Sequence, residues 1–168
     1  DAIYIGTPHP FHKENTLLCL ENGKAVLCEK PFAINAKEAL EMINFARERK
    51  VFLMEAMWSR FLPHMVKVRE LISKDTIGEV RMLEADFGFR TGVNPESRLF
   101  NPEMGGGALL DVGIYPVSLA FMLFGAPVEV KSFARLGSTG VDEEAAMIFS
   151  HREGQMSLLS TAIRLTTP

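Results

Sequence analysis

Ala25-Val26-Leu27-Cys28-Glu29-Lys30-Pro31 is the stretch on which the fold turns. Four apolar residues run without alternation and stop on an acid, a base and a proline. A strand buried on both faces reads this way, and such strands belong to parallel sheets. Upstream, Ala2 to Ile5 is a similar short run, ended by Gly6 and Pro8. Between the two, His12 to Asn22 reads as a helix with Leu17, Leu18 and Leu20 on its apolar side and Gly23 as its stop. Downstream, residues 36–49 place Ala36, Ala39, Leu40, Ile43 and Ala46 on one helical face. Asn35 followed by Glu38 marks the start of that helix as a capping-box variant. Val51 to Met54 is a third strand. The order β-α-β-α-β implies parallel strands covered on both faces, with ligands outside their carboxyl ends. Those ends are Gly6-Thr7-Pro8-His9, Glu29-Lys30-Pro31 and Glu55-Ala56-Met57-Trp58.

The pattern changes near residue 57. Phe61 to Lys74 reads as a helix with Met65, Val68, Leu71 and Ile72 inward. Val80 to Arg90 reads as a strand. A loop with Asn94-Pro95, Asn101-Pro102 and Gly105-Gly106-Gly107 follows, then a mostly apolar helix from Ala108 to Phe124. Strands near 128–136, 143–150 and 155–165 are joined by tight turns, which implies antiparallel pairing. The expectation is an α/β chain in two parts. Residues 1–56 form a parallel unit, and residues 57–168 part of an α+β domain with a mostly antiparallel sheet. The opening run reads as a strand already under way, and the last strand has no partner after it. An internal fragment is therefore expected.

A length of 168 residues allows one ordinary domain or parts of two. A formal net charge of -3 gives no basic footprint for nucleic acid or an acidic membrane surface. Unbroken apolar runs fall short of the roughly 20 residues of a membrane span. Cys19 and Cys28 lie in apolar segments and read as buried reduced thiols, with no CxxC spacing. No metal set assembles from His9, His12, His64 and His151. A cytoplasmic location is the expectation.

Several residues could carry chemistry. Lys30 stands at a strand end before a proline, where an ammonium could bond a substrate hydroxyl and favour a nearby phenolate; a surface lysine in a turn fits as well. Asp111 and Tyr115 share one helical face if both are helical, next to a glycine turn that admits close approach of a ligand. Tyrosine can serve as general acid or base beside a cation. The plain alternatives are an N-cap for Asp111 and a core position for Tyr115. Pro116 means that the helix bends there or starts there. Trp58 and Arg60 could touch a ligand, or serve as a packed ring and an ion-pair partner. His9 and His12 could cap the helix that follows the first strand.

In combination, Gly6-Thr7-Pro8-His9-Pro10-Phe11-His12, the Glu29-Lys30-Pro31 run, Glu55-Ala56-Met57-Trp58-Ser59-Arg60 and Gly105-Gly106-Gly107-Ala108-Leu109-Leu110-Asp111-Val112-Gly113-Ile114-Tyr115 resemble the glucose-fructose oxidoreductase and inositol dehydrogenase (Gfo/Idh/MocA) family. The wording lies nearest its dihydrodiol dehydrogenase and NADP-dependent D-xylose dehydrogenase branch. Inositol-type members carry histidine where this chain has Tyr115. The resemblance implies the C-terminal half of a Rossmann-like sheet and hydride transfer between a sugar or cyclic diol and NADP, with NAD as the alternative. It implies Lys30 and Tyr115 as the catalytic pair and Asp111 as the residue that places the substrate. Thr7, Pro8, His12, Glu29, Lys30, Trp58 and Arg60 would line the cofactor. It further implies a GxGxxG loop before Asp1, no activity in this stretch alone, and a homo-oligomer when intact, with a small-molecule substrate and no nucleic-acid or membrane partner. A cofactor-binding sensor on the same fold is the competing reading, because fold alone does not set function. A pure sensor would not need both Lys30 and Tyr115.

Overall fold

The computed structural model describes residues 1–168. Its first sheet joins β1 (Ala2–Ile5), β2 (Ala25–Glu29) and β3 (Leu53–Ala56) in that order, all parallel. Helix α1 (His12–Glu21) and helix α2 (Ala36–Arg49) make the crossovers. Ile5, Leu20, Val26, Cys28, Met42 and Ala46 form the core beneath this sheet. The Asn35 side chain accepts the Glu38 N–H, as the cap signal predicts.

The buried faces of both helices differ from the expected ones. In α1 the inward residues are His12, Thr16 and Leu20, spaced by four, and Leu18 is exposed. In α2 the inward side centres on Met42 and Ala46, with Leu40 exposed. Leucine counts misplace the faces because α1 buries two polar side chains. Strand β3 starts at Leu53, two residues later than expected. Lys50 turns left-handed after α2 and Val51 N–H closes back on the Ala46 carbonyl, so Val51 belongs to the helix stop.

A short 3-10 turn, Trp58–Phe61, leads into α3 (Pro63–Ser73). None of α3 is fully buried; Val68 and Leu71, expected inward, are exposed. The second sheet has the order β4-β7-β6-β5, from β4 (Met82–Gly88), β5 (Glu129–Leu136), β6 (Asp142–Ser150) and β7 (Met156–Ala162). The β5–β6 and β6–β7 pairs are antiparallel and β4–β7 is parallel, so the expected mostly antiparallel sheet carries one parallel edge.

The apolar helix does not start as an α-helix. Leu109–Gly113 is a π-turn, and α4 proper runs Ile114–Phe124. With the 3-10 turn Pro102–Met104 before it, the helical run Pro102–Phe124 reaches 23 residues, long and apolar enough by length and composition to cross a membrane. That corrects the expectation of short apolar runs, which the glycines and Asp111 had broken up. The run packs on the inner face of the second sheet and buries Asp111, the behaviour of a core helix.

Candidate active site

The carboxyl ends of β1 and β2 face the π-turn across a narrow cleft. Lys30 follows β2, and its Nζ donates to the Asp111 backbone carbonyl at 2.7 Å. The Lys30–Pro31 peptide is cis. Pro116 has no N–H to offer this turn of the helix, and the π-turn leaves carbonyls off the regular ladder. A lysine from the other half of the molecule therefore finds a backbone acceptor there. The same Nζ lies 3.6 Å from Asp111 Oδ1 and 5.0 Å from the centre of the Tyr115 ring.

Asp111 is buried, with only 8% of its side chain exposed, and a carboxylate so buried needs partners. Lys30 is one. The other is Arg98, whose Nη1 donates to Oδ1 at 2.6 Å. Both cations meet Oδ1. Arg98 comes from the segment between β4 and the glycine turn, and it is not among the residues singled out from the sequence. Phe100, two residues on, is 1% exposed and anchors that segment among Ala108, Val112, Val141 and Ile163.

Tyr115 projects between Trp58 and Phe87. Trp58 Nε1 donates to its hydroxyl at 3.0 Å, with the two rings edge-on at 5.9 Å. Phe87, from β4, lies 5.4 Å away. Arg60 points elsewhere: its guanidinium donates to Ser118 Oγ and to the Ser118 carbonyl, tying the 58–61 turn to α4. The structure thus joins Lys30, Asp111, Tyr115 and Trp58, and keeps Arg60 as a strut behind them.

A polar cleft of about 270 Å³ opens beside this cluster, lined by Gly6, Thr7, Pro8, His9, Glu29, Lys30, Arg98 and Asp111. Hydroxyl, ammonium and guanidinium donors face a carboxylate there, a set that suits ribose hydroxyls and a carboxamide. Glu29 is held at both oxygens, by the Tyr4 hydroxyl and by Lys30 N–H. His12 does not line the cleft. It is fully buried, and its two ring nitrogens contact the Thr7 and Pro31 carbonyls at 2.8 Å each, so it clamps the two strand-end loops together. His9 contacts the Gly105 carbonyl at 3.1 Å and links the first loop to the glycine turn. Neither histidine is the N-cap of α1, a place taken by Phe11. Burial pushes His9 below its ordinary value, and the Gly105 carbonyl opposes that in part. Glu55, at the end of β3, accepts Phe32 N–H at 3.0 Å and steadies the loop after Pro31.

Residues 1–57 match the family model described as an oxidoreductase family with an NAD-binding Rossmann fold, and residues 65–167 match the GFO/IDH/MocA C-terminal domain. Trans-1,2-dihydrobenzene-1,2-diol dehydrogenase from Xenopus tropicalis is 44% identical over all of this chain and 51% of its own length. The protein of that name from Homo sapiens is 42% identical over 90% of this chain and 45% of its length. The chain spans about half the length of the curated relatives it matches. Among solved structures, an aldose-aldose oxidoreductase from Caulobacter crescentus complexed with glycerol superposes with a TM-score of 0.92, at 28% identity over 99% of this chain and 51% of that one. A 3-ketoreductase from Actinomadura kijaniata in complex with NADP and TDP-benzene gives 0.89, at 30% identity over 99% and 51%. With both of its parts covered by family models, the chain belongs to the Gfo/Idh/MocA family of NAD-binding oxidoreductases.

Proposed function

We propose that the intact protein transfers a hydride between a hydroxyl-bearing carbon of a sugar or cyclic diol and the nicotinamide of NADP, with NAD as the alternative. The observation that carries this reading is the meeting of Lys30, Asp111, Tyr115 and Trp58, the first two of which line a polar cleft. Residues 1–56 act as the second half of the dinucleotide-binding domain, and residues 57–168 as the first part of the substrate and dimerisation domain. A nicotinamide bound in the cleft supplies the hydride acceptor.

The chain's own residues handle the proton. Tyr115 Oη takes it from the substrate hydroxyl. The Trp58 indole N–H already points at that oxygen, and the Lys30 ammonium sits over the ring, so both stabilise the negative charge the oxygen must carry before it takes the proton, a charge the transfer then neutralises. Asp111 Oδ2 accepts a second hydrogen bond from the substrate and turns the reacting carbon toward the cleft. Trp58 and Phe87 wall the site with aromatic faces, which suits a ring-shaped substrate. The names of the relatives support a diol or sugar, and the polar cleft supports a polyhydroxylated ligand.

The test uses the intact reading frame, following NADP⁺ reduction with D-xylose and with a trans-dihydrodiol. Tyr115→Phe keeps the ring and removes the proton acceptor, so turnover falls by about 10² to 10⁴ while cofactor binding is retained. Equal turnover in mutant and parent would remove Tyr115 from the chemistry.

A further inference from the structure

Asp111 and Tyr115 ride on one helical segment, so whatever sets the start of that segment sets both side chains. Its own sequence does little to set it. No side chain caps the π-turn locally, the turn is wider than an α-turn, and Pro116 removes an N–H one residue after Tyr115. The hold comes from the second sheet. Asp142, the first residue of β6, accepts the Leu109 N–H on Oδ2 at 2.7 Å; burial raises its pKa, and the N–H groups of Leu109, of Asp142 itself and of Ala108 pull the other way. Asp142 Oδ1 occupies the space beside Gly107 where a Cβ would stand, with Asp142 Cγ 3.1 Å from that point. Gly107 also has φ +117, which a side chain would strain. From β7, Thr161 Oγ1 donates to the Ala108 carbonyl at 3.2 Å. The third glycine of the turn and the aspartate of β6 are thus one device: the glycine leaves room, and the carboxylate fills it.

We propose that Asp142 is a positioning residue that fixes the rotation and height of the turn carrying Asp111 and Tyr115. A carboxylate has an acceptor for each of two adjacent N–H groups, and its charge complements the positive end of a helix. Its backbone pairs with Leu136 at the end of the β5–β6 ladder, so the helix start is referred to the second sheet. A small displacement of the turn would part the Lys30–Asp111 and Trp58–Tyr115 contacts together. The kinetic half of this inference rests on the function proposed above; the structural half does not.

The experiment is Asp142→Asn in the intact protein, read by backbone hydrogen exchange and by steady-state kinetics beside Tyr115→Phe. Asparagine keeps one acceptor and turns an NH2 toward the second donor. Exchange in residues 107–116 should quicken by about tenfold while β6 and β7 stay protected. The value of kcat should fall by about 10- to 100-fold, with the cofactor KM moving less than about twofold, because the reacting groups are misplaced and the cleft is not. Unchanged exchange in 107–116 overturns the proposal whatever the activity. Faster exchange with parental kcat, when Tyr115→Phe is inactive, overturns it too and leaves Asp142 a cap alone. If Tyr115→Phe is as active as the parent, the reaction reading has failed, and the exchange result by itself decides whether Asp142 sets the turn. Should the asparagine variant not fold, Asp142→Ser, which keeps a hydroxyl acceptor, takes its place; parental exchange and parental kcat in a folded serine variant overturn the proposal, and intermediate values of both support it.

Discussion

Glu55 holds the loop behind Lys30 through one hydrogen bond, its carboxylate accepting Phe32 N–H. Burial raises its pKa above the ordinary 4.5, against the smaller pull of that N–H and of the Arg60 charge. The sign follows from linkage. A carboxyl with a raised folded value binds its proton more tightly in the folded state, so stability is lost as pH rises from 4.5 through the folded value. Glu55→Gln keeps an acceptor for Phe32 and removes the charge. It should raise the melting temperature at pH 7, and the gain should vanish at pH below 4.5, where the parent is neutral as well. A gain that persisted in acid would mean that charge burial is not its source. Single residues were legible where chemistry and chain position coincide. Lys30, Asp111 and Tyr115 could be singled out because a strand end and a helical spacing predict where they go. Arg98 and Asp142 could not, since each acts across the molecule on a residue 13 or 33 positions away. His12 was visible as a residue, but its clamp on two carbonyls depends on loops meeting in space.

Among the elements, the segment from Phe89 to Gly107 has no regular structure beyond one 3-10 turn, yet it delivers Arg98 to Asp111. Its order comes from Phe100, sealed in a cluster with Ala108, Val112, Val141 and Ile163, and from backbone bonds such as Gly107 N–H to the Leu99 carbonyl at 2.9 Å. Phe100→Ala should cost about 3–5 kcal/mol, read by urea unfolding of the intact protein. It should also raise the substrate KM, because Arg98 is loosened along with the segment. A loss below about 1 kcal/mol would show that the site collapses around the gap and that the anchor lies elsewhere. The regular elements were far easier to read. Helix α2 was legible at its start, where its cap is a local signal, whereas the left-handed turn at Lys50 emerged only in the structure. Strand β3 was displaced by two residues because Val51 is as apolar as a strand residue and only its hydrogen bond to Ala46 assigns it to the helix stop. The π-turn has no periodic signature of its own, and the contacts it makes, Asp142 with Gly107 and with Leu109 N–H, join residues more than thirty positions apart.

At the scale of residues 1–168 as a whole, a broad surface of the second sheet is uncovered. On the outer face of the second sheet, Phe133 is 86% exposed, and Ile148, Met156, Leu158 and Met82 continue the apolar band across the strands. Lys131 and Arg135 lie on this face at the β5 margin, and Glu84 and Asp86 lie on it at the β4 margin. The two basic groups also meet Glu129 and Glu144 on their own sheet, but exposed pairs of that kind hold little energy in water. A face with an apolar centre, one basic margin and one acidic margin is self-complementary under a two-fold axis, since each margin then opposes its opposite on the second copy. We therefore expect the intact protein to pair with itself through this sheet. Ile148→Glu places a charge on β6, in the apolar centre of the band where the two copies would meet. Sedimentation equilibrium should give twice the chain mass for the parent and the single chain mass for the variant, with turnover measured on both to learn whether pairing matters to the site. A parent at single mass would end the expectation. A variant that remained paired would move the interface off this face, because a buried carboxylate with no partner is not tolerated at the centre of an apolar contact.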